Sequence, residues 1–266
     1  MPSPPSQHDY AGLWWQFTRR NIESRQKGSH LEFVWPVLNP LIMLALYVLV
    51  FGYIFNGQFP ARPQETRIEY ALTLFTGLNI LQFVNEVVGE APRLILNTPN
   101  LVKRVVFPLE LLPGAQVGGA FFRHLVSMAL VFLGVLFFSD GLSWQMLWWP
   151  VVMAPLVLLT LGIAWLLSAL GVFLRDLAQL TNFCSTVLLY SSAVFYPVSK
   201  VQQSLFWTVL KFNPFLHAVE QTRHVLLWRE PPALQPLLYL YASGLILCFG
   251  GRWVFRKLQP HFADVL

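Results

Sequence analysis

Three ionisable side chains between residues 213 and 226, His217, Glu220 and His224, recur at i, i+3 and i+7 and share one face of a helix. Two imidazoles and a carboxylate on one stripe are the residue types of a metal site or an acid–base pair. The pattern needs no chemistry, however, if Glu220 pairs with Arg223 or His224 on a solvated face, and the segment supplies neither a nucleophile nor a third fixed ligand. The two cysteines, Cys184 and Cys248, each lie in an apolar stretch without metal-ligand spacing to the six histidines, which argues against a disulfide framework or a zinc site. Asp176, Glu110, Glu90 and Glu86 are the remaining candidates for acid–base work, spread over separate segments next to basic residues. They keep open the alternative of a membrane-embedded glycosyl or acyl transferase acting on a lipid-linked substrate. No G-x-x-x-x-G-K-[ST] loop or Gly-rich nucleotide fingerprint occurs, so energy from ATP would have to come through another subunit.

The elements that would position these residues are set by composition. Of 266 residues, 55% are hydrophobic and only 12% charged, with a mean hydropathy of +0.53. That balance is the balance of a membrane protein. Six apolar stretches, at about 34–55, 70–89, 114–138, 145–173, 180–198 and 234–255, each approach the ~20 residues a helix needs to cross ~30 Å of hydrocarbon. No secretory signal is expected, because the first of these runs begins only after a mostly polar stretch. With the N-terminus inside, eleven of the 18 Lys and Arg residues fall on the cytoplasmic side and six outside, with Arg123 inside the third run. This bias predicts both termini in the cytoplasm. The basic residues sit at membrane edges, which points to lipid and partner contact and not to nucleic acid.

Between the runs lie four notable pieces. Residues from about 10 to 30 predict an interfacial amphipathic helix, with Tyr10, Leu13, Trp14, Phe17 and Asn21 on one side. Residues from about 92 to 107 hold a short basic amphipathic turn in which Asn97 or Thr98 caps, Pro99 opens, and Asn100, Leu101, Val102 and Val105 flank Lys103 and Arg104. It is too short to stand alone in water, so headgroups or the groove of a soluble partner should hold it. Arg175-Asp176 makes a second protrusion on the same side. Residues from about 198 to 230 carry two amphipathic runs of about a dozen residues, each half a bilayer long if helical, which reads as a re-entrant hairpin or as a helical pair lying on the surface; Asn213 and Pro214 open the second.

Gly114, Gly118, Gly119 and Ala120 predict close helix packing just before Arg123 and His124, two ionisable residues within an apolar run. Tyr47, Phe51 and Phe55 in the first run, and Tyr190, Phe195 and Tyr196 in the fifth, are candidates to line a passage for sugars, or are simply packing.

Taken together, the amphipathic start followed by WPVLNPLIML, then NLVKRVVFPLELLP, FLRDLAQL, SSAVFYPV, FNPFLHAVEQTR and a tail ending FADVL resemble the membrane permeases of ABC transporters that export lipid-linked O-antigen and related polysaccharides. The likeness covers nearly the whole chain. It implies an all-α polytopic protein of the bacterial inner membrane: six transmembrane helices in a single permease domain over 1–266, and two short extracytoplasmic helices at the exit. It also implies a homodimer, two copies of a cytoplasmic ATPase that carry the ATP and Mg, no cofactor on this chain, and a lipid-linked polysaccharide as cargo. In that family the segment matching Asn97 to Val105 is a coupling helix seated in the ATPase, and the turn at Arg175-Asp176 is a smaller contact. Arg175-Asp176 and FADVL look more like the O-antigen and teichoic-acid branch than the capsule branch.

Overall fold

The computed structural model describes residues 7–24, 34–55, 66–103, 107–139, 141–174 and 176–266. Among these residues the secondary structure is helical throughout, with no strand. The elements are α1 Gln7–Ser24, α2 Trp35–Tyr47, which widens into a π-helix over Val48–Ile54, α3 Arg67–Leu94, α4 Pro99–Lys103 and α5 Leu111–Phe138. There follow a 3₁₀ turn Trp144–Trp148, α6 Trp149–Phe173, α7 Leu177–Ser191, α8 Val198–Gln202, α9 Trp207–Leu210, α10 Pro214–Leu226 and α11 Leu234–Leu258. A final 3₁₀ turn at Gln259–His261 leads into α12 Phe262–Val265.

Among the described residues, five stretches are long and apolar enough to cross a membrane: Trp35–Ile54, Arg67–Leu94, Leu111–Phe138, Trp144–Phe173 and the stretch that opens with α11. The fifth apolar run, expected at 180–198, differs. Its helix α7 has 15 residues, roughly 22 Å at 1.5 Å per residue, and the chain leaves the helix at Ser192 and passes through a positive φ of 53° at Ala193. α7 alone therefore falls short of the hydrocarbon thickness. The expected hairpin also changes: its first half is not one helix but α8 and α9, because Ser204 turns back, its hydroxyl donating to the Val201 carbonyl at 2.8 Å in competition with the helix ladder. Pro36 opens α2, whereas Pro40 lies inside it.

α3 is the central helix, with 78% of its apolar window buried, whereas α2 stands at the periphery with 6%. A capping box at Thr66 and Glu69 starts α3, and Glu69 also accepts from Ser139 at 2.7 Å, tying the start of α3 to the end of α5. α6 and α11 approach so closely that a methyl group on Gly162, Gly244 or Gly251 would meet the backbone of the facing helix. This is the small-residue packing of membrane helices. The main core joins α3, α5, α6 and α10. A second cluster, built on Ile95, Leu112, Trp165, Phe255 and Phe262, closes the end of the molecule where α4 lies. The two ends are called here the α4 end and the α10 end.

Candidate functional site

Helical spacing puts Tyr47, Phe51 and Phe55 on one face of α2 and its π-helical extension, with ring centroids 5.9 Å apart at each step. Phe195, just beyond α7, meets Phe51 at 6.3 Å and Tyr190 at 6.3 Å. The Tyr196 hydroxyl donates to the Tyr190 carbonyl at 2.7 Å. The six aromatics thus form one contiguous ladder shared by two distant stretches of chain. Phe55 and Tyr190 remain 69% and 64% exposed. Aromatic faces in series offer apolar area without a fixed hydrogen-bond pattern.

Tyr47 is also the last rung before a half-open cavity of about 900 Å³ lined by α2, α3 and α5. One wall of the cavity carries an ion pair: Arg123 of α5 grips both carboxylate oxygens of Glu86 of α3, and its Nη2 donates to Asn21 Oδ1 of α1 at 3.2 Å. The side chains of Arg123 and Glu86 are only 19% and 11% exposed. A lone charge at such depth is costly, whereas a bidentate neutralising pair is tolerated. The small-residue series expected to pack closely does so against α1. A methyl group on Gly114 would touch Trp14, one on Gly118 would crowd Trp14 and Thr18, and one on Gly119 would collide with Asn21. The contacts advance together along both helices, so α1 leans along the first turns of α5, and Gly119 lets Asn21 reach Arg123.

In the basic turn, the described helix α4 is held by this chain's own tail. α4 presents Pro99, Asn100 and Lys103 to solvent, and Asn97 just before it is exposed. Leu101 and Val102 are half-buried against the cluster of Ile95, Phe255 and Phe262. The apolar residues that a partner's groove would accept are therefore partly covered by α12, because a five-residue helix needs tertiary packing to persist. Thr98 does not cap forward; its hydroxyl donates back to Leu94 at 3.1 Å. Asp176 is exposed at the start of α7. Arg104, Val105 and Arg175 lie outside the described residues. Beneath α4, Glu110 receives Arg256 at 2.9 Å and Arg252 at 3.2 Å. These hydrogen bonds, Arg256's first, hold its carboxyl below the usual carboxylate range despite partial burial. Glu86 and Glu110 are thus each committed to arginines on different helices, which separates two of the carboxylates a transferase would need together.

The His217, Glu220 and His224 stripe disperses. His217 Nε2 donates to the Lys211 carbonyl at 2.7 Å, and His224 Nδ1 bonds Glu230 at 2.6 Å. Glu220 sits 3.8 Å from Arg223, its carboxyl pushed up by burial against that arginine's pull. Among the described residues no three His, Cys, Asp or Glu side chains gather as a metal group would require.

A family model described as ABC-2 type transporter matches residues 12–227. The chain belongs to the ABC-2 type transporter family. It is similar to the O-antigen export system permease protein RfbA of Myxococcus xanthus, 25% identical over 97% of this chain and 96% of that protein. It is also similar to the RfbA of Klebsiella pneumoniae, 28% identical over 94% and 93%, and to the polysialic acid transport protein KpsM of Escherichia coli, 22% identical over 90% and 91%.

In this ABC-2 chain, one residue that sequence reasoning offered only as an outside positive charge and a solvated partner for Glu220 organises the α10 end. Arg223 is fully buried and donates to the carbonyls of Thr73 at 3.2 Å, Ala193 at 2.8 Å and Val194 at 2.7 Å. Asn213 works beside it: its Oδ1 accepts from the Phe215 amide at the start of α10, and its Nδ2 donates to Ser191 and Ser192. Together they fix the turn that carries Phe195 and Tyr196. The only signal for this in the sequence is an arginine on an otherwise apolar face, three residues after Glu220. The pairing of Glu86 with Arg123 across 37 positions had no signal at all.

Proposed function

We propose that this chain is the membrane subunit of an ATP-driven exporter that moves a lipid-linked polysaccharide of the O-antigen type across the bacterial inner membrane. Two copies pair with two copies of a cytoplasmic ABC ATPase, which binds and hydrolyses ATP with Mg, and this chain performs no covalent chemistry. The observation that carries the reading is the aromatic ladder, which runs from the cavity toward the α10 end on two elements, α2 and α7, whose apolar outer faces are otherwise unpartnered. Leu41, Leu49 and Ile54 on α2 and Leu180, Phe183 and Val187 on α7 are all exposed. A second copy covering these faces would bury that surface and close the ladder into a passage, a membrane-facing sheath in which stacked rings let a sugar chain slide. The names of the curated relatives, two O-antigen permeases and a polysialic acid transporter, support the cargo class.

In this reading both termini and α4 face the cytoplasm, and α7 with the turn after it completes a sixth crossing. α8 to α10 form the short re-entrant pair at the exit. The exposed residues Asn97, Pro99, Asn100 and Lys103, with Arg104 and Val105, dock on the ATPase, and Arg175 with Asp176 makes a second contact. Closure of the ATPase on ATP then moves α4 against the α5 and α12 cluster and shifts the two permease chains relative to one another.

Deletion of the gene, with gel analysis of surface glycan and extraction of lipid-linked intermediates, tests this reading. Loss of surface polysaccharide with accumulation of lipid-linked glycan inside is expected. Loss without accumulation would instead indicate a biosynthetic enzyme. For docking, Lys103→Glu with Arg104→Glu is expected to reduce recovery of the ATPase with the permease while leaving membrane insertion intact; undiminished co-purification would refute the assignment.

A further inference from the structure

The two faces of α11 differ in kind. Gly244 and Gly251 turn inward, so close to α6 that a methyl group on either would meet its backbone. On the opposite face Ile246, Phe249 and Trp253 are 71%, 69% and 62% exposed, within a stretch long and apolar enough to cross a membrane. Residues three and four apart are neighbours on a helix surface, and two rows of such neighbours reach the α4 end. One runs through Leu245, Phe249, Arg252 and Arg256, the other through Ile246, Trp253 and Lys257. Each row begins apolar and ends cationic. Gly250 lies between them with open space where a side chain would stand, which leaves a notch between Ile246 and Trp253.

The cations at the end of these rows outnumber their partners. Glu110 receives both Arg252 and Arg256, one carboxylate for two guanidiniums. Lys257 makes no ion pair among the described residues; its Nζ rests over the Trp253 ring, 5.0 Å from the centroid. Three cations against one carboxylate leave two positive charges in excess. They lie at the foot of an outward-facing apolar surface, with Phe249 only seven residues, roughly 10 Å, from Arg256. A soluble acidic protein could meet the charges but would leave the rows that lead to them to lipid. A lipid phosphate meets both, because its acyl chains run back along the same rows while the lysine and arginine stems carry their charge to headgroup level. Excess Lys and Arg at a membrane edge attract net-anionic lipid, whereas a zwitterionic headgroup would bring a further cation to a site already in excess.

We propose that the outward face of α11 holds one anionic phospholipid at the α4 end, its phosphate between Arg256 and Lys257 beside Trp253 and an acyl chain in the notch at Gly250. Arg252 stays on Glu110, so the lipid is held without dismantling the contact beneath α4. The site uses no residue of the aromatic ladder and is independent of the cargo.

The test counts lipids retained by the full-length chain in native mass spectrometry. The protein is titrated in detergent with equal amounts of dioleoylphosphatidylglycerol and dioleoylphosphatidylcholine, which share their chains and differ in headgroup charge. Each cation at a membrane surface changes binding about fivefold, so two predict a preference of about 25-fold for phosphatidylglycerol in the first lipid bound. Lys257→Gln, at an exposed residue without an ion pair, is expected to lower that preference about fivefold, and adding Arg256→Gln should abolish it. Lys200→Gln with Lys211→Gln removes the same charge at the α10 end and should leave the preference unchanged. Gly250→Phe fills the notch and should weaken retention of phosphatidylglycerol. Equal retention of the two lipids overturns the proposal, as does a preference that survives Lys257→Gln with Arg256→Gln, or undiminished binding in Gly250→Phe. An equal loss in the α10-end control would mean that net charge alone draws the lipid, and displacement by excess inorganic phosphate would assign the cations to a free anion; either also overturns it.

Discussion

The two ends of this membrane domain both rely on arginine, and they use it in opposite ways. At the α10 end, Arg223 is fully buried and spends its guanidinium on three backbone carbonyls drawn from α3 and the turn after α7. At the α4 end, Arg252 and Arg256 converge on Glu110 with side chains 43% and 57% exposed. The buried arginine holds backbone in place, because removing it would take from the buried turn after α7 the hydrogen bonds that its Ala193 and Val194 carbonyls accept. The exposed pair is screened by water and can exchange partners at little cost. The molecule is thus pinned where the aromatic ladder ends and adjustable where α4 meets the tail, a division suited to a part that must yield to a moving partner and a part that must keep its shape.

The sharpest way to break this comparison is Arg223→Met. It strands the carbonyls of Ala193 and Val194 and is expected to cost about 3–5 kcal/mol, read as a collapse of monodisperse protein in fluorescence-detected size exclusion. Arg223→Lys should recover only part of the loss, since one ammonium cannot span three acceptors; full recovery would show that charge matters there and not geometry. Next in size is Arg123→Met, which takes its bidentate arginine from Glu86, a side chain only 11% exposed, and should cost about 2–4 kcal/mol. Adding Glu86→Leu should restore most of the thermal stability, and failure to do so would mean that the arginine acts through Asn21 and α1. Gly119→Val should push Asn21 away from Arg123 and loosen α1, an overpacking effect of about 1–3 kcal/mol, seen as faster proteolysis near residue 21 with the remaining helices intact.

The smallest effect is expected from Glu110→Gln, under about 1 kcal/mol as for other exposed pairs. Its pH dependence has a definite sign. The folded carboxyl titrates below its unfolded value, so the folded state binds fewer protons in that window. Its contribution is therefore complete above the ordinary carboxylate pKa and is lost as pH falls through that range toward the lower folded value. Wild-type and Glu110→Gln melting curves should stay parallel above about pH 6 and draw together as pH falls below the ordinary carboxylate range. A large loss from Glu110→Gln at neutral pH would make the α4 end as rigid as the α10 end and end the comparison.

Several elements of this structure could be read from residue order alone. Mean hydropathy and run length reveal the long helices, since crossing a membrane depends on composition over ~20 residues and little else. Pro36, Asn213 and Pro214 mark helix starts through local backbone chemistry. The glycine series before Arg123 announced a close approach but not that α1 makes it. The break after Gln202 turned on a single hydroxyl choosing a local carbonyl, a competition too finely balanced for periodicity to reveal. The dispersal of His217, Glu220 and His224 came from partners outside their own helix, Lys211 and Glu230 among them.

By itself, then, the sequence determined that the chain is helical and membrane-bound, where most helices begin, and which aromatic and basic residues were worth following, because these properties depend on neighbours within a few positions. The tertiary structure alone decided that Phe51, in the middle of the Tyr47–Phe51–Phe55 row, meets Phe195, itself against Tyr190, and that Glu86 neutralises Arg123. It also decided that Arg223 lies buried instead of facing water, and that α12 covers the apolar side of α4. Each of these joins residues tens to more than a hundred positions apart, and such pairings follow from how whole helices pack, which no local pattern records.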